Sequence, residues 1–118
     1  MGLFNKNNMN TASSSGGNSN LKISTKKDGA EYTLLLNGRL DTITSPALDD
    51  KINEVIGGAE KLILDLSELE YISSAGLRVL LGTLQIMEGK GEMVICNLTE
   101  PVREVFELTG FSRLFNIE

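Results

Sequence analysis

Lys61-Leu62-Ile63-Leu64-Asp65-Leu66, followed shortly by Tyr71-Ile72-Ser73-Ser74-Ala75-Gly76-Leu77, is the stretch on which the fold turns. The first piece is a short apolar run with an acidic end, the pattern of a buried strand. Past the second piece, Leu77, Leu80, Leu81 and Leu84 recur at i, i+3, i+4 and i+7, which predicts an amphipathic helix running to about Glu88. The two serines therefore stand at the mouth of that helix. Backbone N–H groups there lack intrahelical partners and the helix dipole favours negative charge. A hydroxyl in this place can cap, and a phosphate placed on it would be received by the same donors.

Working outward, Leu21-Lys22-Ile23-Ser24 and Glu31-Tyr32-Thr33-Leu34-Leu35-Leu36 read as strands joined through Asp28-Gly29, a hairpin signal, and Asn37-Gly38 closes the second of them. Ser45-Pro46 opens a helix with a capping hydroxyl and a proline at its first position. Leu48, Ile52, Val55 and Ile56 form its buried stripe, and Gly57-Gly58 ends it. After Gly89-Lys90-Gly91 a further strand covers residues 92–97. Thr99 then caps a last helix with Val102, Val105, Phe106 and Thr109 on one side, and Phe111, Leu114, Phe115 and Ile117 dock back on the core. A hairpin followed by alternating helix and strand predicts an α/β domain with a mostly parallel sheet.

The chain of 118 residues is enough for one domain with one modest core. Residues 1–20 are dominated by Asn, Ser and Gly; they offer too little apolar surface to offset ordering entropy and read as a disordered tail ahead of a domain at 21–118. No apolar run approaches the roughly 18 residues needed to span a bilayer, and the N-terminus lacks the apolar core of a secretory signal. A cytoplasmic protein is expected. The net charge is −5, and since the tail contributes only Lys6, the domain holds 10 basic and 16 acidic side chains. Nucleic acid and anionic membrane are poor partners for such a surface, and a basic protein surface a better one. Cys96, the single cysteine, reads as a small core side chain.

Three constellations carry chemistry on paper. Ser73-Ser74-Ala75-Gly76 caps a helix, but capping needs one hydroxyl, and the small Ala75 and Gly76 would let a large partner approach the backbone closely. Asn37-Gly38-Arg39-Leu40-Asp41-Thr42-Ile43-Thr44-Ser45 is either a strand-to-helix loop satisfying its own backbone or a ligand loop. In the second case Asp41 lies beside the serine turn at the C-terminal edge of the sheet, where open α/β sheets bind ligands. Asp65-Leu66-Ser67, at the end of the central strand, places a carboxylate that backbone N–H groups can satisfy.

None of these reads as a catalytic centre. Ser74-x-Gly76 after a strand resembles half of a nucleophile elbow, but Ile72 stands where that motif has glycine. The chain has no histidine, so the commonest activating base and the commonest zinc ligand are missing. Phosphate-loop and dinucleotide fingerprints are absent as well. No enzyme, cofactor or metal site is expected.

Taken together, Gly38-Arg39-Leu40-Asp41, Leu62-Ile63-Leu64-Asp65-Leu66-Ser67 and Tyr71-Ile72-Ser73-Ser74-Ala75-Gly76-Leu77-Arg78-Val79-Leu80-Leu81 resemble the STAS family, the domains shared by sulfate transporters and bacterial anti-sigma factor antagonists. The resemblance covers nearly all of residues 21–118. It implies a sheet of four or five strands, mostly parallel, with helices largely on one face. It also implies a small cytoplasmic protein that binds an anti-sigma factor, a serine kinase in the best-known systems, and so frees a sigma factor. Phosphorylation on the serine heading the central helix would release the kinase, and a serine phosphatase would reset the switch. By the family pattern the acceptor is Ser74, with Ser73 in the preceding, often acidic, position and second in line. Asp41 matches a loop aspartate that contacts the partner, so Asp41, Thr42, Ser73, Ser74, Ala75 and Gly76 form the implied partner surface. A STAS accessory subunit of a lipid-transport complex is the alternative that the same resemblance leaves open.

Overall fold

Leucines at alternate positions lay out the sheet. In the computed structural model, which describes residues 20–118, β1 (Leu21–Asp28) and β2 (Glu31–Leu40) form an antiparallel hairpin. The remaining strands β3 (Lys61–Ile72), β4 (Glu92–Cys96) and β5 (Asn116–Ile117) then add in parallel, giving the sheet order β1-β2-β3-β4-β5. Leu34 and Leu36 of β2, Leu62, Leu64 and Leu66 of β3 and Ile95 of β4 are fully buried in one cluster. Their neighbours of opposite parity, Thr33, Leu35, Ile63 and Asp65, are only half-buried and lie outside it. The helices α1 (Ser45–Val55), α2 (Ser74–Met87) and α3 (Glu100–Thr109) therefore cover a single face, as right-handed crossovers that advance in one direction must. Leu48 and Ile52 of α1, Leu77, Leu80 and Met87 of α2, and Val102 and Phe106 of α3 complete the core. Each such side chain contributes about 1.5–3 kcal/mol of burial. The proposed tail lies outside the described residues except for Asn20, whose carbonyl accepts from Arg39 N–H at 2.8 Å.

Several elements differ from their sequence-based reading, each for a local reason. The hairpin turn is Gly29-Ala30, because Asp28 still pairs with Glu31; Gly29 at φ +62° supplies the glycine-first primed turn. Asn37-Gly38 does not close β2. Gly38 adopts φ +117° inside the strand, and a Cβ there would collide with the Asn20 carbonyl.

The strand predicted over 61–66 is twice as long. Between the Leu35–Asp65 and Asn37–Glu68 pairs, β3 advances one residue more than β2, and it does so again between Gly38–Leu69 and Arg39–Tyr71. These two bulges change the spacing of buried residues from two to three, at Leu66, Leu69 and Ile72, which hides the strand from a period-two reading. Asp65 thus sits mid-strand rather than at its end. β4 stops opposite Asp65, and the connection leading into α3 takes over its edge: Asn97 Nδ2 donates to Asp65 Oδ1 at 3.3 Å and Thr99 Oγ1 to the Leu69 carbonyl at 2.7 Å. Thr99 occupies the N-cap position of α3, but its hydroxyl is spent on that strand edge rather than on the helix.

In α2 the buried line runs through Leu77, Leu80, Thr83 and Met87, with Leu84 packed at its side and Leu81 displaced from it. Thr83 is tolerated inside because its hydroxyl donates to the Val79 carbonyl at 2.8 Å. Cys96 is not a core residue. It is half-buried on the uncovered face, where burial and the nearby Asp65 and Glu118 carboxylates push its thiol pKa up. Of the C-terminal apolar residues, Phe115 is buried, Phe111 packs against the core and Ile117 pairs in β5, whereas Leu114 stays exposed.

Candidate functional site

Two strand-to-helix junctions meet at the C-terminal edge of the sheet. Leu40 and Ile72 are the last paired residues of β2 and β3, and Ser73 N–H donates across to the Leu40 carbonyl at 2.8 Å. That bond ties the loop carrying Asp41 and Thr42 to the turn carrying the serines. The expected juxtaposition of these two segments is present.

The junction after β2 is saturated with its own hydrogen bonds. Asp41 Oδ1 accepts from the N–H groups of Ile43 and Thr44, both at 3.0 Å. The Thr44 N–H bond first, then that of Ile43 and the Arg39 guanidinium, hold the Asp41 carboxyl below its ordinary value of 3.8 against the opposing effect of burial. Thr44, 1 % exposed, accepts from Asp41 N–H at 2.8 Å and donates to the Arg39 carbonyl at 2.9 Å. Ser45 does not cap α1 as its position beside Pro46 predicts. Thr44 holds the N-cap position, and the Ser45 hydroxyl turns back to the Asp41 carbonyl. Thr42 and Ile43 are left on the surface of this loop, Ile43 76 % exposed.

The junction after β3 is a single residue long. Ser73 has extended backbone, and its Oγ accepts from Gly76 N–H at 3.4 Å, a long N-cap bond. Ser74 opens α2, is exposed, and its hydroxyl makes no hydrogen bond among the described residues. Ala75 is half-buried and lines an open groove between α1 and α2, with Thr42, Asp49, Ile52, Arg78, Val79, Gly82 and Ile86. Gly76 is buried. A Cβ added to it would lie 2.7 Å from Leu40 Cγ and 3.0 Å from Ile72 Cγ1. Its small size thus serves the packing of the first helical turn on the two strand ends, not the approach of a partner. Of the six residues expected at this edge, Thr42 and Ser74 are exposed, Asp41, Ser73 and Ala75 half-buried and Gly76 buried.

Asp65 lies eight residues before Ser73 and does not join this cluster. Burial would raise its pKa, but hydrogen bonds from the Ser67 N–H and hydroxyl and from Asn97 outweigh burial and lower it. The structural role predicted for it matches these contacts. Among the described residues no group of three or more His, Cys, Asp or Glu side chains is arranged to hold a metal ion.

Sequence reasoning passed over three residues here. Thr44 was read as loop polarity; its N-cap position two residues before Pro46 could have been read from the sequence, but its hydroxyl serves Asp41 N–H and the Arg39 carbonyl rather than the helix. Arg39 stacks on Tyr71, with its guanidinium 4.4 Å from the ring centroid, and lies 4.0 Å from Asp41; only the strand pairing of Arg39 with Tyr71 makes that visible. Arg78 stands one helical turn beyond Ser74, a spacing that could have been read directly.

Comparison with known proteins places these features in a wider setting. Residues 22–118 match the STAS domain family. A Bordetella bronchiseptica protein designated anti-sigma factor antagonist BtrV is 37% identical over 99 residues, spanning 82% of this chain and 85% of that one. The anti-sigma F factor antagonist of Paenibacillus polymyxa is 30% identical over 101 residues, 83% of this chain and 86% of its own. Among solved structures, the Bacillus anti-sigma factor antagonist SpoIIAA superposes with a TM-score of 0.72 unphosphorylated and 0.66 phosphorylated. At 21% identity, with 82% of this chain and 88% and 91% of those chains covered, that likeness establishes the shared fold.

Proposed function

The chain belongs to the STAS domain family, with anti-sigma factor antagonists as its relatives, and we propose that it is a stand-alone antagonist whose hold on an anti-sigma factor is switched by phosphorylation of Ser74. The observation that carries this reading is the division of labour between the two serines. Ser73 is half-buried and caps α2, whereas Ser74 is exposed with its hydroxyl unengaged. A kinase can reach the second without dismantling the helix end.

The geometry supports a mechanism of docking and release. The unphosphorylated protein presents Thr42, Ser74 and Ala75 as a small-residue surface at the head of the α1–α2 groove, backed by the rigid Asp41 loop. An anti-sigma factor with serine-kinase activity docks there, which occupies it and frees its sigma factor. Transfer of a phosphoryl group to Ser74 Oγ adds about −1.5 to −2 charges and three strong acceptor oxygens. The first-turn N–H groups of α2 accommodate them, so the fold persists. A partner that had packed on Ala75 must instead desolvate a dianion, and a loss of about 2.7 kcal/mol is a hundredfold in affinity. A serine phosphatase resets the surface. The chain acts by binding, in the cytoplasm. No helix among the described residues is long and apolar enough to cross a membrane.

The test is incubation with the cognate kinase and ATP, followed by mapping of the modified residue and titration of both forms against the kinase. Modification at Ser74, a roughly hundredfold loss of affinity, and a Ser74→Ala variant that binds but is not released by ATP are expected. Modification confined to Ser73, or equal affinity of both forms, would refute the reading.

A further inference from the structure

Arg78 is an unpaired cation in an acidic domain. It is exposed, lines the α1–α2 groove, and makes no ion pair or hydrogen bond among the described residues. The other arginine at this edge, Arg39, is already engaged by the Tyr71 ring and by Asp41. Among the residues lining the groove the one acidic group is Asp49, across the groove on α1 and not within ion-pair distance of Arg78. Arg78 follows Ser74 by four positions on one continuous helix, so the two side chains share a face with Cβ atoms about 5–6 Å apart. An anion N-terminal to a cation at this spacing is the favourable order.

We propose that Arg78 is the built-in counter-ion for a phosphate on Ser74, its guanidinium closing over the phosphate oxygens in a two-pronged pair along the first turn of α2. Guanidinium matches phosphate in this bidentate manner, and the side chain reaches it without backbone movement. The inference rests on the reading of Ser74 as the phosphoacceptor and adds what the phosphate does once attached. It withdraws from the groove mouth a cation that the unphosphorylated form leaves free. Together Ser74 and Arg78 carry one positive charge before modification and about −0.5 to −1 after it. The switch thus reverses the local sign as well as adding bulk.

The experiment installs phosphoserine at position 74 by genetic encoding, so no kinase is needed, and follows the phosphate by ³¹P NMR titration. It compares the otherwise unaltered chain with Arg78→Gln and Arg78→Lys. The second phosphate ionisation, ordinarily near pH 6, is expected about half a unit lower with Arg78 than with glutamine. Lysine should restore part of the difference, and 0.5 M salt should shrink it, as for any exposed pair. Coincident titrations for all three chains, or a difference unaffected by restoring the positive charge, would overturn the proposal. Because Arg78 is exposed, circular dichroism should show the same fold in each variant. A kinase that leaves Ser74 unmodified would refute the functional reading while leaving this titration intact, so the two failures are distinguishable.

Discussion

The two junctions at the C-terminal edge of the sheet connect a parallel strand to a helix, lie one hydrogen bond apart, and are built in opposite ways. At the four-residue loop before α1 the side chains turn back on the local chain: the Asp41 carboxylate, the Thr44 hydroxyl and the Ser45 hydroxyl all bond to backbone of residues 39–44. The junction before α2 is one residue long, its side chain makes one long hydrogen bond, and the next hydroxyl is left to solvent. Rigidity is thus concentrated in the loop that backs the site, and chemical availability in the turn that would be modified.

Breaking the first junction should cost the most. Thr44→Val keeps the shape but leaves Asp41 N–H and the Arg39 carbonyl without their buried partner, and a loss of about 2–3 kcal/mol is expected in urea unfolding. Next comes the shared packing between the junctions. Gly76→Ala forces a methyl against Leu40 and Ile72 and should destabilise by about 1–3 kcal/mol, partly offset by the better helix propensity of alanine.

Asp41→Ala should cost about 1 kcal/mol near neutrality, and its pH dependence sharpens the comparison. The folded carboxyl titrates below its ordinary 3.8, so its contribution is full above that value and is lost as the pH falls through the folded pKa. Wild type and variant should therefore converge in stability as acid is added below about pH 4, read from unfolding midpoints across a pH series. The smallest effects belong to the second junction. Ser73→Ala should lose about 0.5 kcal/mol, fitting its 3.4 Å cap, and Ser74→Ala should stay within about 0.5 kcal/mol of wild type while abolishing phosphorylation. A reversed order between the two serines would exchange their roles.

Much of this was legible in the residues. The helix of Leu77, Leu80 and Leu84 and the sheet of alternating leucines follow from periodicity, and the family follows from the motifs around Asp41 and Ser74. What periodicity missed are places where tertiary pairing overrides it. The bulges in β3 replaced a two-residue rhythm with a three-residue one, so the strand reading stopped at Leu66. Gly38, read as a strand terminus, is a close approach to Asn20, which only the register reveals. Gly76 was read as an invitation to a partner because a sequence cannot show that Leu40 and Ile72 lie beneath it. The inward turn of Ser45 was hidden for a similar reason: a serine before a proline can bond either forward or back, and Thr44 already held the N-cap position.

The brevity of β4 has a consequence for the protein's behaviour in a crowded solution. Past Asp65 the outer side of β3 is a strand edge, the kind of surface on which chains add to one another and polymerise. Here the Leu69 carbonyl is occupied by Thr99, and Glu68 and Glu70 project exposed carboxylates along the same stretch. A second copy offering its own edge would meet an acceptor already engaged and like charge beside it. The chain can therefore carry a long, partly unflanked strand and still disfavour self-association through that edge.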